Sequence, residues 1–124
     1  MNKLFFSGRA AAAPELKTYG DTKVAHFRLI RNEYAGKDGD GNRRERQVSI
    51  TFAAFAGLAE TLAKNVLTGD QLIVEARLSN NNFTDGDGKE RYSYDFEVVS
   101  FDYGAPGAEK RKKLAERADE SARP

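Results

Sequence analysis

The feature that most constrains this sequence is a nine-residue run of period two, from Gln47 to Phe55. Val48, Ile50, Phe52 and Ala54 alternate with a row that stays polar until its end, namely Gln47, Ser49, Thr51, Ala53 and Phe55. Successive side chains of a β-strand point to opposite faces of its sheet, so this pattern predicts a strand with one buried and one exposed face.

Four further segments predict strands by alternation or by β-prone composition: Asn2 to Arg9, Lys23 to Tyr34, Gln71 to Asn82 and Lys89 to Tyr103. In the last of these the apolar phase changes between Val98 and Val99, which predicts a β-bulge. The glycine-rich segment 35–46 predicts a mobile hairpin loop with a basic exit, and Phe83 to Gly88 predicts a second hairpin.

Only Gly57 to Thr68 carries a helical stripe, formed by Leu58, Leu62 and Val66, with Gly69 placed to end it in a left-handed conformation. Five strands with one short helix between strands 3 and 4 is the order of the OB-fold, a small and partly open barrel. We therefore predict an all-β chain that forms a five-stranded OB-fold barrel, although other five-stranded folds share this count.

The length of 124 residues, 40% of them hydrophobic, is enough for one core. Gly104 to Gly107 break the strand pattern, which predicts an OB domain over residues 1–104 and a charged, flexible tail over 105–124. Within the tail, Glu109 to Arg117 suits either a frayed helix or disorder. Neither a leader nor a membrane-spanning run is recognisable, so we expect a cytoplasmic protein.

The net charge of +1 is small for a protein that binds nucleic acid, but the charge is unevenly distributed. Residues 1–46 hold 10 Lys and Arg against 6 Asp and Glu, whereas residues 47–107 hold 4 against 9. The positive charge is therefore concentrated in residues 1–46, and residues 108–124 add 6 Lys and Arg against 4 Asp and Glu. Ordinary surface charge is the alternative explanation.

Enzymatic and metal chemistry find little support in the sequence. There is no cysteine, and the one histidine, His26, lies on a predicted strand. Asp38, Asp40 and Asn42 imitate the start of a calcium loop, but Arg43 stands where that loop needs glycine and Ser49 where it needs glutamate. We predict no enzyme, no cofactor and no metal site. A nuclease with convergent carboxylates stays open as a remote alternative.

Binding of single-stranded nucleic acid needs exposed aromatic rings, on which bases stack, and cations along the backbone. Phe55 ends the polar row and Phe83 lies in a hairpin among Asn80, Asn81, Asn82 and Thr84, so both are candidate stacking residues. Tyr34 borders the glycine-rich loop and is a third. The alternatives are that Phe55 packs on the helix start and that Tyr34 anchors the hairpin.

Several short motifs in collinear order resemble bacterial single-stranded DNA-binding proteins over residues 2–103. They are Gly8-Arg9, Pro14-Glu15-Leu16, Val24-Ala25 with Phe27 and Leu29, Phe55 with Leu58-Ala59-Glu60, Gly69-Asp70, Glu75-Ala76-Arg77-Leu78, and Phe83-Thr84-Asp85-Gly86 with Gly88.

The resemblance implies an OB-fold that wraps single-stranded DNA during replication, recombination and repair, as a homo-oligomer for which a tetramer is favoured and a dimer is possible. Carried over by position, Phe55 and Phe83 stack on bases, and Ser49 and Thr51 lie under the DNA. The predicted backbone contacts are Arg9, Lys37, Arg43, Arg44 and Arg46, and Tyr34, Lys89 and Arg91 complete the set of predicted DNA-binding residues.

The sequence departs from the family pattern at several places. Ser49 stands where an aromatic is usual, Phe83 where tryptophan is frequent, and Ala76 where glycine is customary. The family's acidic, hydrophobic-ended tip has no counterpart at Arg123 and Pro124, so we expect no recruitment of repair enzymes by the tail. Two alternatives remain: a dimeric primosomal accessory protein for replication restart, and an OB-fold module that binds a peptide.

Overall fold

The computed structural model describes residues 1–122 of the 124 in the sequence. Arg123 and Pro124, on which the expectation about the acidic tip partly rests, lie outside the described residues. The helices and strands are β1 (Leu4–Ala10), β2 (Glu15–Tyr19), β3 (Thr22–Lys37), β4 (Arg43–Phe55), α1 (Ala56–Asn65), β5 (Gln71–Asn80), β6 (Phe83–Thr84), β7 (Glu90–Arg91), β8 (Tyr94–Tyr103) and α2 (Ala108–Ala122).

The chain is mostly β, and its long strands pair into a ring. The order of pairing is β1–β5–β8–β4–β3, and β1 also pairs with β3, which closes the ring. All of these pairs are antiparallel except β4 with β8. β2 pairs with β3 outside the ring, and β6 and β7 form a separate two-stranded ribbon.

The core lies inside the ring around Phe52, which is fully buried. The rings of Phe6, Phe27 and Phe96 surround it, with centroids 6.1, 5.5 and 6.3 Å away. The period-two pattern of β4 is confirmed for Phe52 and Ala54, which are buried, and for Ser49 and Thr51, which are exposed. Ala53, which was predicted to face outward, is also buried, at 4% exposure, because its small side chain lies between paired strands with His26 and Glu97 opposite it. Alternation identifies the inward face because a shift of the pairing register by one residue would expose the whole apolar row of the strand.

α1 covers one end of the ring with Ala59 and Leu62, which are fully buried. The helix ends at Asn65, earlier than the predicted Thr68, because Val66 is extended, with φ and ψ of −91° and 128°. The Val66 N–H donates the last helical hydrogen bond, to the carbonyl oxygen of Leu62 at 3.0 Å. Gly69 is left-handed, with φ of 86°. It turns the chain after the helix has ended and does not cap the helix as predicted.

Besides the five strands of the ring, residues 1–122 contain three short strands that the sequence did not predict. All five residues of β2 are exposed, so no alternation of apolar residues marked it. β6 and β7 have two residues each, too few for a periodic signal. The predicted bulge near Val99 is confirmed, because Ala76 lies opposite Val98 and Glu75 opposite Ser100, which leaves Val99 as the extra residue.

The C-terminal segment takes the helical alternative, as α2. Neither helix among residues 1–122 has the length and apolarity that crossing a membrane requires.

Candidate nucleic-acid interface

Strand pairing in the hairpin between β3 and β4 extends further than predicted. Segment 35–46 was expected to be a mobile loop, but the strands continue to Lys37 and restart at Arg43. The Asp38 carboxylate Oδ1 accepts hydrogen bonds from the N–H groups of Asp40 and Asn42, both at 2.9 Å. Gly41 supplies the positive φ of 80° that closes the turn. Because one carboxylate holds the turn together, only residues 38–42 lie outside the paired strands β3 and β4.

The second hairpin repeats the same turn on the same four letters, Asp-Gly-Asp-Gly. Asp85 Oδ1 accepts hydrogen bonds from the N–H groups of Asp87 and Lys89 at 2.9 and 3.0 Å, and Gly88 has φ of 78°. The Arg91 guanidinium and these N–H groups hold the pKa of Asp85 below its ordinary value. The aspartates of both hairpins thus act as turn formers.

Both hairpins project from the same end of the ring. β4 and β8 are parallel neighbours, with Phe52 opposite Phe96. The β3–β4 hairpin leads into β4 and the β6–β7 ribbon leads into β8, so both lie at the end of the ring where these two strands begin. α1 follows β4 and lies at the other end.

The outer surface of β3 and β4 joins these two ends, and we call it the β3–β4 face. On β4 it presents Thr51 and Ser49, which lie opposite Arg28 and Ile30 of β3. Directly opposed residues on neighbouring strands point to the same side of a sheet, so these four side chains share one surface. From Phe55 to Arg43 the face is about 40 Å long, at roughly 3.3 Å per residue.

Phe55 marks the α1 end of this face. It is the residue before α1, with extended φ and ψ of −125° and 151°, and Ala56 after it has a left-handed φ of 55°. Phe55 is 39% exposed, so the residue is partly packed against the protein and partly open to solvent. Left-handed φ is unfavourable for alanine, so the junction is a strained point in the backbone.

Phe83 lies on the β6–β7 ribbon, opposite Arg91, and is 53% exposed. Arg91 Nε contacts Asp85 Oδ2 at 2.8 Å, so Arg91 is part of the turn as well as a cation. Lys89 is exposed beside it. Tyr92 and Tyr94 lie next to the ribbon and are more exposed than Phe83. Sequence reasoning did not assign them, since their alternation with Phe96 indicated a strand.

The hairpin cations divide between two surfaces. Arg43 lies opposite Lys37, and its guanidinium carbon lies 5.2 Å from the centre of the Tyr34 ring. Strand alternation places Arg43 on the β3–β4 face with Ser49 and Thr51. Arg44 and Arg46 point to the opposite side of β4, where Arg46 lies opposite Glu33. The sequence analysis grouped these arginines together, because the extent of pairing beyond Tyr34 was not predicted.

Arg9 belongs to β1, opposite Ile30, and its Nη1 donates to the carbonyl oxygen of Gly69 at 2.9 Å. Arg28 was missed as a candidate, although it lies opposite Thr51 in the middle of the β3–β4 face. Strand alternation could have identified Arg28, because it lies two residues from both His26 and Ile30 and therefore shares their face of the strand. Within residues 1–122, no three carboxylate or imidazole groups converge as a metal ion would require.

Comparison with known proteins identifies the family. The single-strand binding protein family matches residues 1–103, which include the whole ring and both hairpins. The chain belongs to this family. The match ends at Tyr103, the last residue of β8, so α2 lies outside the matched residues.

Curated relatives are about 30% identical to this chain over the aligned residues. The single-stranded DNA-binding protein of Clostridium perfringens is 33% identical over 105 residues, which are 83% of this chain and 65% of the relative. Single-stranded DNA-binding protein 1 of Xylella fastidiosa is 30% identical over 94 residues, 75% of this chain and 69% of the relative. A Rhizobium meliloti relative of the same name is 28% identical, with 59% of its length covered. The chain thus spans about two thirds of the length of these relatives.

Proposed function

We propose that this chain binds single-stranded DNA without sequence preference and without catalysis, through an OB-fold barrel formed by the ring of five strands. The observation that carries the proposal is the β3–β4 face. At one end of this face lies the half-exposed side chain of Phe55. At the other end lie two hairpins that carry aromatic and basic side chains. Rings and cations at separate points along one surface suit a flexible strand whose bases and phosphates are read independently of sequence.

Each predicted residue has a place in this proposal. Phe55, Phe83 and Tyr34 stack on bases, and Ser49 and Thr51 lie beneath the strand with Arg28 beside them. The cations that contact phosphates are Arg9, Lys37, Arg43, Arg44, Arg46, Lys89 and Arg91. Arg44 and Arg46 contact the DNA from the opposite side of the β3–β4 hairpin. Arg91 contacts the DNA while its guanidinium remains paired with Asp85.

We propose that copies of the chain assemble, with a tetramer favoured over a dimer. The outer surface of β1, β5 and β8 carries Phe5, Ile73 and Val99, which are 68%, 46% and 49% exposed. Phe5 lies opposite Glu75, which in turn lies opposite Ser100, so the three apolar residues are near neighbours. An exposed apolar patch of this kind favours burial against another protein surface.

Light scattering of the protein alone and with oligo(dT) of increasing length tests the assembly. A fixed tetramer that holds a longer strand as length increases agrees with the proposal. A dimer agrees with the alternative of a primosomal accessory protein. A monomer would contradict the use of the Phe5 patch for assembly.

In the cell, we propose a cytoplasmic, nucleoid-associated protein that protects single strands in replication, recombination and repair. The DNA-binding domain extends over residues 1–104, and residues 105–124 form a charged tail. We propose that this tail does not recruit repair enzymes, since Lys110, Arg111, Lys112 and Lys113 make its first turns cationic.

Fluorescence anisotropy with labelled oligo(dT) and a duplex of equal length tests the proposed function. We expect the single strand to bind more tightly, with an affinity that falls steeply as salt rises, because each neutralised phosphate releases counterions. Equal affinity for duplex and single strand would contradict the proposal. Negligible affinity for both would favour the alternative of a peptide-binding module.

A further inference from the structure

The C-terminal segment is attached to the ring through a buried carboxylate. The side chain of Asp70 is nearly inaccessible, and the residue is 3% exposed. Its Oδ1 accepts a hydrogen bond from the Gly107 N–H at 2.9 Å, and its Oδ2 accepts one from the Leu67 N–H at 2.9 Å. Lys110 Nζ lies 3.0 Å from Oδ2 and also donates to the Asn65 carbonyl oxygen. One side chain therefore holds the first turn of α2 against the end of α1.

Backbone packing fixes this attachment further. A Cβ at Gly107 would lie 2.6 Å from the Gly69 carbonyl carbon, so no larger residue fits without displacing the segment. Gln71 pairs with Ala105 in both directions, since its N–H donates to the Ala105 carbonyl and its Oε1 accepts from the Ala105 N–H, both at 2.9 Å. The start of α2 consequently has a defined position relative to β5.

α2 and the end of α1 enclose a groove with an excess of positive charge. Lys64 and Leu67 line it on one side, and Lys113, Leu114 and Arg117 line it on the other. Lys110 is already neutralised by Asp70, but Lys64, Lys113 and Arg117 form no ion pair with a carboxylate among residues 1–122. Like charges that converge on one groove repel each other unless an anion lies between them.

A row of side chains leads from the β3–β4 face to the segment that precedes α2. Ser49 lies opposite Ile30, Ile30 opposite Arg9, and Arg9 opposite Gln71. These four side chains share the outer surface, because directly opposed residues of neighbouring strands point to the same side. Gln71 then contacts Ala105, five residues before Lys110. The row thus ends at the segment that carries α2.

We propose that the groove between α1 and α2 extends the path of single-stranded DNA beyond the ring, with Lys64, Lys113 and Arg117 contacting phosphates. This inference rests on the proposed function. The free cations match a polyanion, and the row through Arg9 connects them to the rest of the interface. Leu67 and Leu114 provide apolar surface for a base or sugar but no ring for stacking. The groove therefore adds electrostatic contact and makes the binding site longer.

Two double substitutions of equal charge test the inference in the full-length protein. K113Q/R117Q removes two cations that line the groove, and R111Q/K112Q removes two from the other side of the same helix. We expect K113Q/R117Q to weaken binding of a long oligo(dT) roughly three- to tenfold near 0.2 M salt, and to reduce the salt slope by about 1.4, from about 0.7 per phosphate contact on a single strand. The control should change both much less.

Oligonucleotide length provides a second readout. The difference between wild type and K113Q/R117Q should be absent for strands too short to leave the β3–β4 face, and it should grow as the strand reaches α2. Equal losses in both double variants would overturn the inference, since they would mean general charge attraction. Unchanged binding of all lengths by K113Q/R117Q would also overturn it.

Two further outcomes separate this inference from the proposed function. Binding of a labelled poly-glutamate peptide by the wild type, lost in K113Q/R117Q while DNA affinity is kept, would assign the groove to an acidic peptide and overturn the DNA path. If the wild type bound no single-stranded DNA, the proposed function itself would fail. Unchanged thermal melting of both double variants confirms that the comparison concerns binding, because the substituted side chains lie on one exposed helix.

Discussion

Replacement of Phe55 and of Phe83 by alanine should separate stacking from packing. Each ring that stacks on a base contributes about 1 to 3 kcal/mol of binding, so each variant should bind oligo(dT) roughly 5- to 150-fold more weakly. Anisotropy with a labelled strand measures this loss. Thermal unfolding, measured in parallel, gives the change in stability.

The effects on folding should differ between the two positions. Phe55 is 39% exposed, so about 60% of its side chain is buried, and full burial of phenylalanine contributes about 1.5 to 3 kcal/mol. F55A should therefore lose about 1 to 2 kcal/mol of stability. Phe83 lies on a ribbon outside the ring, and F83A should lose about 0.5 kcal/mol or less, as is usual for surface positions.

Two conservative variants provide controls. F55L keeps most of the apolar volume but removes the flat ring, so we expect near-native stability and weakened binding. F83W keeps an aromatic face and introduces a tryptophan into a chain that has none, so its fluorescence should be quenched by oligo(dT) at native affinity. If F55A melted at a much lower temperature but bound DNA normally, Phe55 would be a packing residue and the assignment wrong. Unchanged binding by F83A would remove the ribbon from the interface.

Three other predictions concern the turn, the attachment and the tail. D85A should open the β6–β7 ribbon, since three hydrogen bonds to its carboxylate are lost, and should weaken oligo(dT) binding with little change in melting temperature; native affinity would contradict this. Burial by itself would raise the pKa of Asp70, but the Leu67 and Gly107 N–H groups and Lys110 hold it below its ordinary 3.8, so attachment of α2 should be intact above that pH and weaken as the pH falls below it. The Gly107 amide shift in NMR should report this titration, and D70N should abolish it. Deletion of residues 108–124 should leave affinity for oligo(dT) within about tenfold at moderate salt, because only a few phosphate contacts are lost; a larger loss would show that α2 does more than extend the path.

The ring could largely be predicted from the sequence because burial imposes period two on its strands. Phe52 and Ala54 were placed inward, and the change of phase at Val99 located a bulge that the register confirms. The two hairpins followed from their glycine-rich composition, although the hydrogen bonds to the Asp38 and Asp85 carboxylates are seen only in the structure. These features depend on residues close together in the sequence.

The missed features depend on contacts between distant residues. β2 has no buried face, so only its pairing with β3 reveals it. The division of Arg43 from Arg44 and Arg46 follows from how far the β3–β4 ladder extends, which composition does not determine. The attachment of α2 joins Asp70 to Gly107 and Lys110 across about 40 positions, and no local pattern marks such a pair.

Ultraviolet cross-linking of oligo(dT) to the wild-type protein, followed by mass spectrometry of the peptides, tests the location of the binding surface most directly. Adducts on Phe55, Phe83 and Tyr34, all sensitive to salt, are the expected result. Phe5 is the control, because it is more exposed than any of these three but lies on the outer surface of β1. Adducts confined to Phe5 and its neighbours would contradict the account, since they would place DNA on the surface we assign to assembly.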